Sequence, residues 1–152
     1  MSVLQAYPRL LARAYAATRA LLAPLRPWLR QGGAVERAFV VAELLTKQPV
    51  FDCRMCGQCV LHQTGMTCPM TCPKELRNGP CGGVRPDGRC EVQPEMLCPW
   101  VLAWERSDRM GVPGREIEWV LPPLDRRRVG RSAWIQELAA PDSVYPAGWV
   151  RE

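Results

Sequence analysis

Eight cysteines lie between Cys53 and Cys98 of this chain, spaced as metal-ligating thiols are. Cys53, Cys56 and Cys59 are each separated by two residues; Cys68 and Cys72 follow, then Cys81, Cys90 and Cys98 at near-regular intervals. A Cys-x-x-Cys-x-x-Cys run can wrap three thiolates around one face of a four-iron cubane, with a remote fourth cysteine closing the site. Zinc commonly takes two ligands from one such knuckle and two from another. Three tandem ligands therefore favour iron–sulfur clusters, with zinc as the alternative. Eight thiols suffice for two four-iron clusters with none left over. The tandem run places Cys53, Cys56 and Cys59 on one centre, closed by Cys98. Cys68, Cys72, Cys81 and Cys90 then remain for the other.

The residues between the cysteines suit such centres. Gly57 frees the backbone between two ligands, where amides can point at sulfur. Cys68–Pro69, Cys72–Pro73 and Cys98–Pro99 each set a rigid, donor-less residue directly after a ligand. Gly79, Pro80, Gly82 and Gly83 surround Cys81 in a tight turn that lets amides approach a cluster, and a Cβ at Gly82 is expected to obstruct that approach. Amide-to-sulfur hydrogen bonds and burial tune the reduction potential of such a cluster.

Other chemistries are poorly served. His62 is the only histidine, so any catalytic triad would hang on one ring, and a lone histidine in a loop is more often a bystander than a ligand. There is no G-x-G-x-x-G and no P-loop motif. A flavin-bearing barrel needs roughly 200 residues or more, and the chain has 152. The Cys68-x-x-x-Cys72 pair lacks the following cysteine of a radical-generating cluster, since Glu75 stands there.

The thiols need elements to position them, and three zones emerge. Residues 1–50 form a helical segment. Leu4, Leu11, Tyr15, Leu22 and Leu25 recur near one helical face, and Pro24 and Pro27 end or kink that helix. Gly32–Gly33 separates it from a second helix, about Val35 to Lys47, with Phe39, Val40, Leu44 and Leu45 as its apolar stripe. Residues 51–105 form the cysteine-rich, cluster-binding domain. Residues 106–152 form a tail rich in Trp, Pro and Arg; its Trp119, Trp134 and Trp149, with Trp104 just ahead of it, either wrap a partner or pack on the chain's own core. The run Arg126–Arg127–Arg128 reads as a solvated face. The fold class expected is a small, loop-rich, metal-organised domain with N-terminal α-helices and little regular sheet.

Charge narrows the partners. The net charge of +5 comes entirely from Arg9, Arg13, Arg19, Arg26 and Arg30, because residues 33–152 carry 15 basic and 15 acidic side chains. A neutral cysteine-rich zone argues against a nucleic-acid partner. The basic first helix is expected to pack on the domain or on a partner subunit; membrane-surface contact by residues 1–30, or an organelle transit peptide, is the alternative. No window approaches the roughly 18 apolar residues of a membrane span, and arginines interrupt every run that could serve as a secretory signal. The expected compartment is cytoplasmic, where thiols stay reduced and free for metal rather than paired as disulfides.

Several stretches resemble one known family: Cys53-Arg-Met-Cys-Gly-Gln-Cys59, Cys68-Pro-Met-Thr-Cys-Pro-Lys74, Arg77-Asn-Gly-Pro-Cys-Gly-Gly83, Gly88-Arg-Cys-Glu91 and Cys98-Pro-Trp100. Together they are similar to the methylenetetrahydrofolate reductase C-terminal domain family, a match over about a third of the chain that takes in all eight cysteines. In that family the domain is fused to a flavin-dependent reductase barrel or stands beside one as a small subunit. The resemblance implies the separate form here. It implies a role in one-carbon metabolism, passing electrons to or from the flavin of a methylenetetrahydrofolate reductase-like subunit, and leaves the metal open. With the cysteine spacing, the expectation is an iron–sulfur electron-transfer accessory subunit, non-catalytic alone. A structural zinc-binding scaffold in the same complex is the alternative, since such domains have also been described as zinc-binding.

Overall fold

The computed structural model describes residues 3–139, and Trp149 lies outside them. Among these residues the chain is helical and loop-rich, with strand pairing limited to two isolated bridges, Val84 with Cys90 and Arg89 with Leu97. Helix α1 spans Pro8–Leu22. It opens on Pro8, whose missing N–H is no loss in a first turn, and its last turn carries Arg19 at the negative end of the dipole. Pro24 and Pro27 then turn the chain into a 3₁₀ segment, Ala23–Trp28, as their fixed φ and missing donors require. Of the five residues expected on the buried stripe, Leu11, Tyr15 and Leu22 pack inward. Leu4 and Leu25 stay exposed, because they sit in separate 3₁₀ turns on either side of the helix.

Helix α2 spans Ala34–Phe51. Its N-cap Gly33 offers no side chain, so Glu36 in the first turn reaches back to accept the Gly32 N–H at 2.5 Å. It ends on Asp52 in the left-handed conformation, whose N–H returns to the Gln48 carbonyl at 2.9 Å. The expected apolar stripe is only half right. Phe39 and Val40 are partly buried, but Leu45 is 74% exposed and Leu44 also faces out. The side chains α2 turns inward are Glu36, Glu43 and Lys47. Recurring seven and four residues apart, these three share one helical face, and they find polar partners there.

Helix α3 spans Pro99–Met110, and helix α4 spans Ala133–Ala139. Cys98 is the N-cap of α3 and Pro99 its first residue. The Cys68–Pro69 pair likewise opens the 3₁₀ turn Pro69–Thr71. Each proline after a cysteine at these two places thus starts a helical turn. α1 packs on α3 and α4 on α2. One core gathers Leu61, Met66, Cys68 and Met70 under Leu11 and Tyr15. A second joins Leu29 to Ile135 and Leu138, against Leu22 and Phe39. A third holds Cys98, Trp100 and Ala103.

Candidate metal centre

Helix α2 delivers the chain to Cys53, and the loop after it winds back on itself. Asp52, Met55 and Gly57 all have positive φ. For Asp52 and Met55 this left-handed backbone costs about 1–2 kcal/mol each, strain of the kind that concentrates at functional sites. The turns bring Cys53, Cys56 and Cys59 to one cavity, and Cys68 arrives from across the first core to line the same space. Its other walls come from Phe51, Met55, Val60, Leu61, Pro69 and Met70, with Glu43, Lys47 and Arg131 as the charged members. The fourth cysteine lining this cavity is Cys68, whereas the sequence grouping placed Cys98 with the tandem three. Cys98 instead packs with Trp100 and Ala103 at the head of α3.

Burial sets the electrostatics. It pushes the Cys59 thiol up to about 11 and the Cys68 thiol up to about 12, and raises Cys53 as well, with the neighbouring sulfurs adding to the effect at all three. Burial pulls Lys47 down, but Cys59 and Glu43 outweigh it and the ammonium is held above its ordinary value. Without metal these thiols are protonated at neutral pH, so uptake of a thiophilic metal must release their protons. Metal affinity should accordingly rise with pH between 6 and 8, by up to about tenfold per unit for each proton released; a chelator-competition titration checks this. The sign is opposite for the metal-free fold. Raised thiols add stability below about pH 9, and that stability drains away as the pH climbs through 11 and 12.

Two buried cations lie by the cysteine loop, Lys47 in the cavity wall and Arg77 on the loop backbone. Lys47 is 5% exposed, bonds Glu43 at 2.7 Å and lies 4.7 Å over the Trp134 ring. Arg77 is 6% exposed and donates to the Gln58 carbonyl, between Cys56 and Cys59, at 3.3 Å. Its Nε is buried with no hydrogen-bond partner. Burial lowers Arg77, and the thiols of Cys56, Cys59 and Cys68 act against that. Glu43, 2% exposed, also accepts from Ser132 Oγ at 2.5 Å and the Trp134 N–H at 3.1 Å. Sequence reading missed Glu43, Lys47 and Arg77. The seven- and four-residue spacing of charges along α2, just ahead of the first cysteine, was the available signal.

The remaining four thiols lie in the loop from 72 to 98. Cys90 pairs with Val84 and donates its N–H to the Met96 carbonyl; Cys98 donates to the Gly88 carbonyl, both at 2.9 Å. Cys81 has the Lys74 ammonium 3.7 Å away and Glu91 at 3.9 Å, and those two charges pair with each other. Cys72 is buried, and Trp100 pins the backbone beyond it by donating to the Leu76 carbonyl at 3.0 Å. All eight cysteines are free thiols. As they stand, no three His, Cys, Asp or Glu side chains among the described residues are close enough together to grip a single ion.

The glycines are not equally constrained. A Cβ on Gly57 would run into the Arg128 carbonyl, and one on Gly65 would meet the Ala103 carbonyl oxygen at 2.6 Å. Gly82, expected to be crowded, has nothing within 4 Å. The close approach is made at Gly57, where the segment around Arg128 covers the first cysteine loop and the Gly130 N–H bonds the Met55 carbonyl at 2.8 Å. Gly57→Ala should cost about 3 kcal/mol, from left-handed strain plus overpacking, whereas Gly82→Ala should cost well under about 1 kcal/mol. Urea denaturation of both variants checks the contrast.

His62 is not among the residues lining the four-thiol cavity. It stacks on Tyr15 at 5.6 Å and lies 4.0 Å from Glu116. Trp134 packs on the chain's own core against Tyr15 at 4.6 Å, while Trp104 and Trp119 stay exposed. Arg126 and Arg127 are solvated as expected and pair with Glu75 and Asp125; Arg128 is turned in, its side chain 14% exposed. No helix among the described residues is long and apolar enough to cross a membrane.

The family model described as methylene-tetrahydrofolate reductase C terminal matches residues 33–127, from the N-cap of α2 through the last cysteine to the arginine run. No curated protein and no solved structure matches the chain. That match covers more than half of the sequence and all eight cysteines, so the chain belongs to the methylene-tetrahydrofolate reductase C-terminal family.

Proposed function

We propose that this chain is an iron–sulfur electron-transfer accessory subunit of a methylenetetrahydrofolate reductase-type flavoenzyme, non-catalytic by itself. The observation that carries this reading is the convergence of Cys53, Cys56, Cys59 and Cys68 on one cavity walled by apolar side chains. A donor set of four thiols suits a soft metal or an iron–sulfur cluster and is ill suited to magnesium or calcium. A bound cluster would supply one-electron transfer, which a partner flavin can accept singly. The chain's own part is to hold the four sulfurs, keep water from them, and balance their charge. Cys72, Cys81, Cys90 and Cys98 would hold the second cluster.

One observation favours the zinc scaffold as a second reading. The cavity that the four thiols help to line has room of only about 20 Å³, close to what one water needs. A four-iron cubane is larger and would push the irregular 53–59 loop outward. A single zinc would instead draw the sulfurs to within about 3.8 Å of one another, as tetrahedral Zn–S bonds dictate. A complex of this chain with its flavoprotein separates the readings. In the relay, Cys56→Ser abolishes turnover with a donor that acts through this chain and spares turnover with a dye that reaches the flavin directly. In the scaffold, both activities fall together as the complex comes apart. Equal loss of both with the assembly intact would leave the relay without support.

The partner reading has its own support in α2. By burying Glu36, Glu43 and Lys47 the helix exposes Ala34, Ala38, Val41 and Leu45, an apolar stripe at spacings of four, three and four. Such a stripe is the usual face of a helix that packs on another protein. Replacing Val41 and Leu45 together by Glu should weaken association with the flavoprotein at least about tenfold, since a buried charge without a partner costs more than 1.4 kcal/mol. Metal content should not change. Unaltered affinity in an interaction titration would count against this face.

A further inference from the structure

We propose that Lys47 and Arg77 are built-in counter-charges to the centre held by Cys53, Cys56, Cys59 and Cys68, and that Glu43 sets how much of the Lys47 charge that centre feels. The inference rests on the metal-centre reading above and concerns residues which that reading does not need as ligands. Four thiolates around a dipositive ion or cluster core leave two negative charges in an apolar enclosure, where unbalanced charge is expensive. Two cations are already buried there before any metal arrives. Lys47 lines the cavity itself. Arg77 reaches the same loop outside the cavity wall, bonded to the Gln58 carbonyl, with its Nε buried and unpartnered.

A fully buried guanidinium nitrogen left without an acceptor is a costly feature unless an acceptor is missing from the account. Thiolates replacing neutral thiols would supply that acceptor. Lys47 is different, because it already has a carboxylate. Glu43 holds it at 2.7 Å and is itself fixed by Ser132 and the Trp134 N–H from the α4 side. The pair is therefore tethered with both members on the cavity wall: the ammonium faces the charge of Cys59 and Cys53, and the carboxylate opposes it at Cys53. Removing the cation and removing the carboxylate should act in opposite directions on the centre. A purely structural pair would behave otherwise, since either loss would then damage the site alike.

The experiment uses the full-length chain loaded with metal under anaerobic conditions, its metal and sulfide content determined first. Affinity is then read by chelator competition in Lys47→Met, Arg77→Gln and Glu43→Gln, with Lys47→Arg and Arg77→Lys as charge-preserving controls. Circular dichroism selects the folded variants. Lys47→Met and Arg77→Gln should each weaken binding about tenfold, the effect of one partly screened charge at short range. Glu43→Gln should tighten it, and the two controls should stay near wild type. Where the metal is an iron–sulfur cluster, the midpoint potential should fall in Lys47→Met and Arg77→Gln and rise in Glu43→Gln. Folded variants whose affinity and potential ignore charge, or three variants that all weaken binding alike, would overturn the proposal. Either result with a metal-loaded wild type leaves the metal-centre reading standing, whereas a wild type that takes up no metal overturns that reading itself.

Discussion

Cys68→Ser should empty the first centre and leave the second. Cys68 is buried and lines the cavity of Cys53, Cys56 and Cys59, although eight residues separate it from the nearest of them in sequence. A serine oxygen is a hard, poorly acidic donor, so a site built for four thiolates loses a ligand outright. The expected result is loss of about half the bound metal, matching the loss caused by Cys56→Ser, with the two variants showing the same residual spectrum. Cys98→Ser should remove the complementary half. If Cys98→Ser and Cys56→Ser removed the same signal while Cys68→Ser removed the other, the grouping drawn from the fold would be wrong.

Glu43→Ala should be among the most destabilising single substitutions in the chain. The carboxylate is buried and accepts from Lys47, Ser132 and the Trp134 N–H. Truncation leaves a buried ammonium without its partner, at a cost of about 3–5 kcal/mol, and strands a hydroxyl and a backbone amide besides. It also cuts the tie between α2 and α4. Thermal unfolding followed by circular dichroism should show a fall in Tm well beyond that of an exposed substitution such as Leu45→Ala. Equal Tm values for the two would show that the charged face of α2 is not what anchors it.

The contrast between those two residues shows what the sequence could and could not convey. Spacing revealed that α2 is a helix and that Gly32–Gly33 precedes it, because periodicity and helix breakers are local properties. It did not reveal which face turns in. The usual rule buries leucine and exposes glutamate, and α2 departs from it at Glu43 because that part of its inner face meets the polar groups Ser132 and the Trp134 N–H, while Phe39 beside it packs on the aliphatic core. The cysteines were legible as a chemical set because thiol spacing is itself the signal. Which of them line one cavity was not, since that depends on the Leu61–Met66–Met70 core bringing Cys68 back to the first loop. Gly57 was legible as a special position, whereas Gly82 was misjudged. Only the packed structure places the Arg128 carbonyl against the one and open space beside the other.

The measurement closest to the central claim is the inorganic content of the anaerobically purified chain. Inductively coupled plasma analysis with an acid-labile sulfide assay should find about eight iron and eight sulfide per chain, the content of two four-iron clusters on eight thiols. The protein should be brown and bleach on reduction. Colourless protein with stoichiometric zinc and no labile sulfide would contradict the electron-transfer account and leave the chain as a zinc-stiffened member of its family.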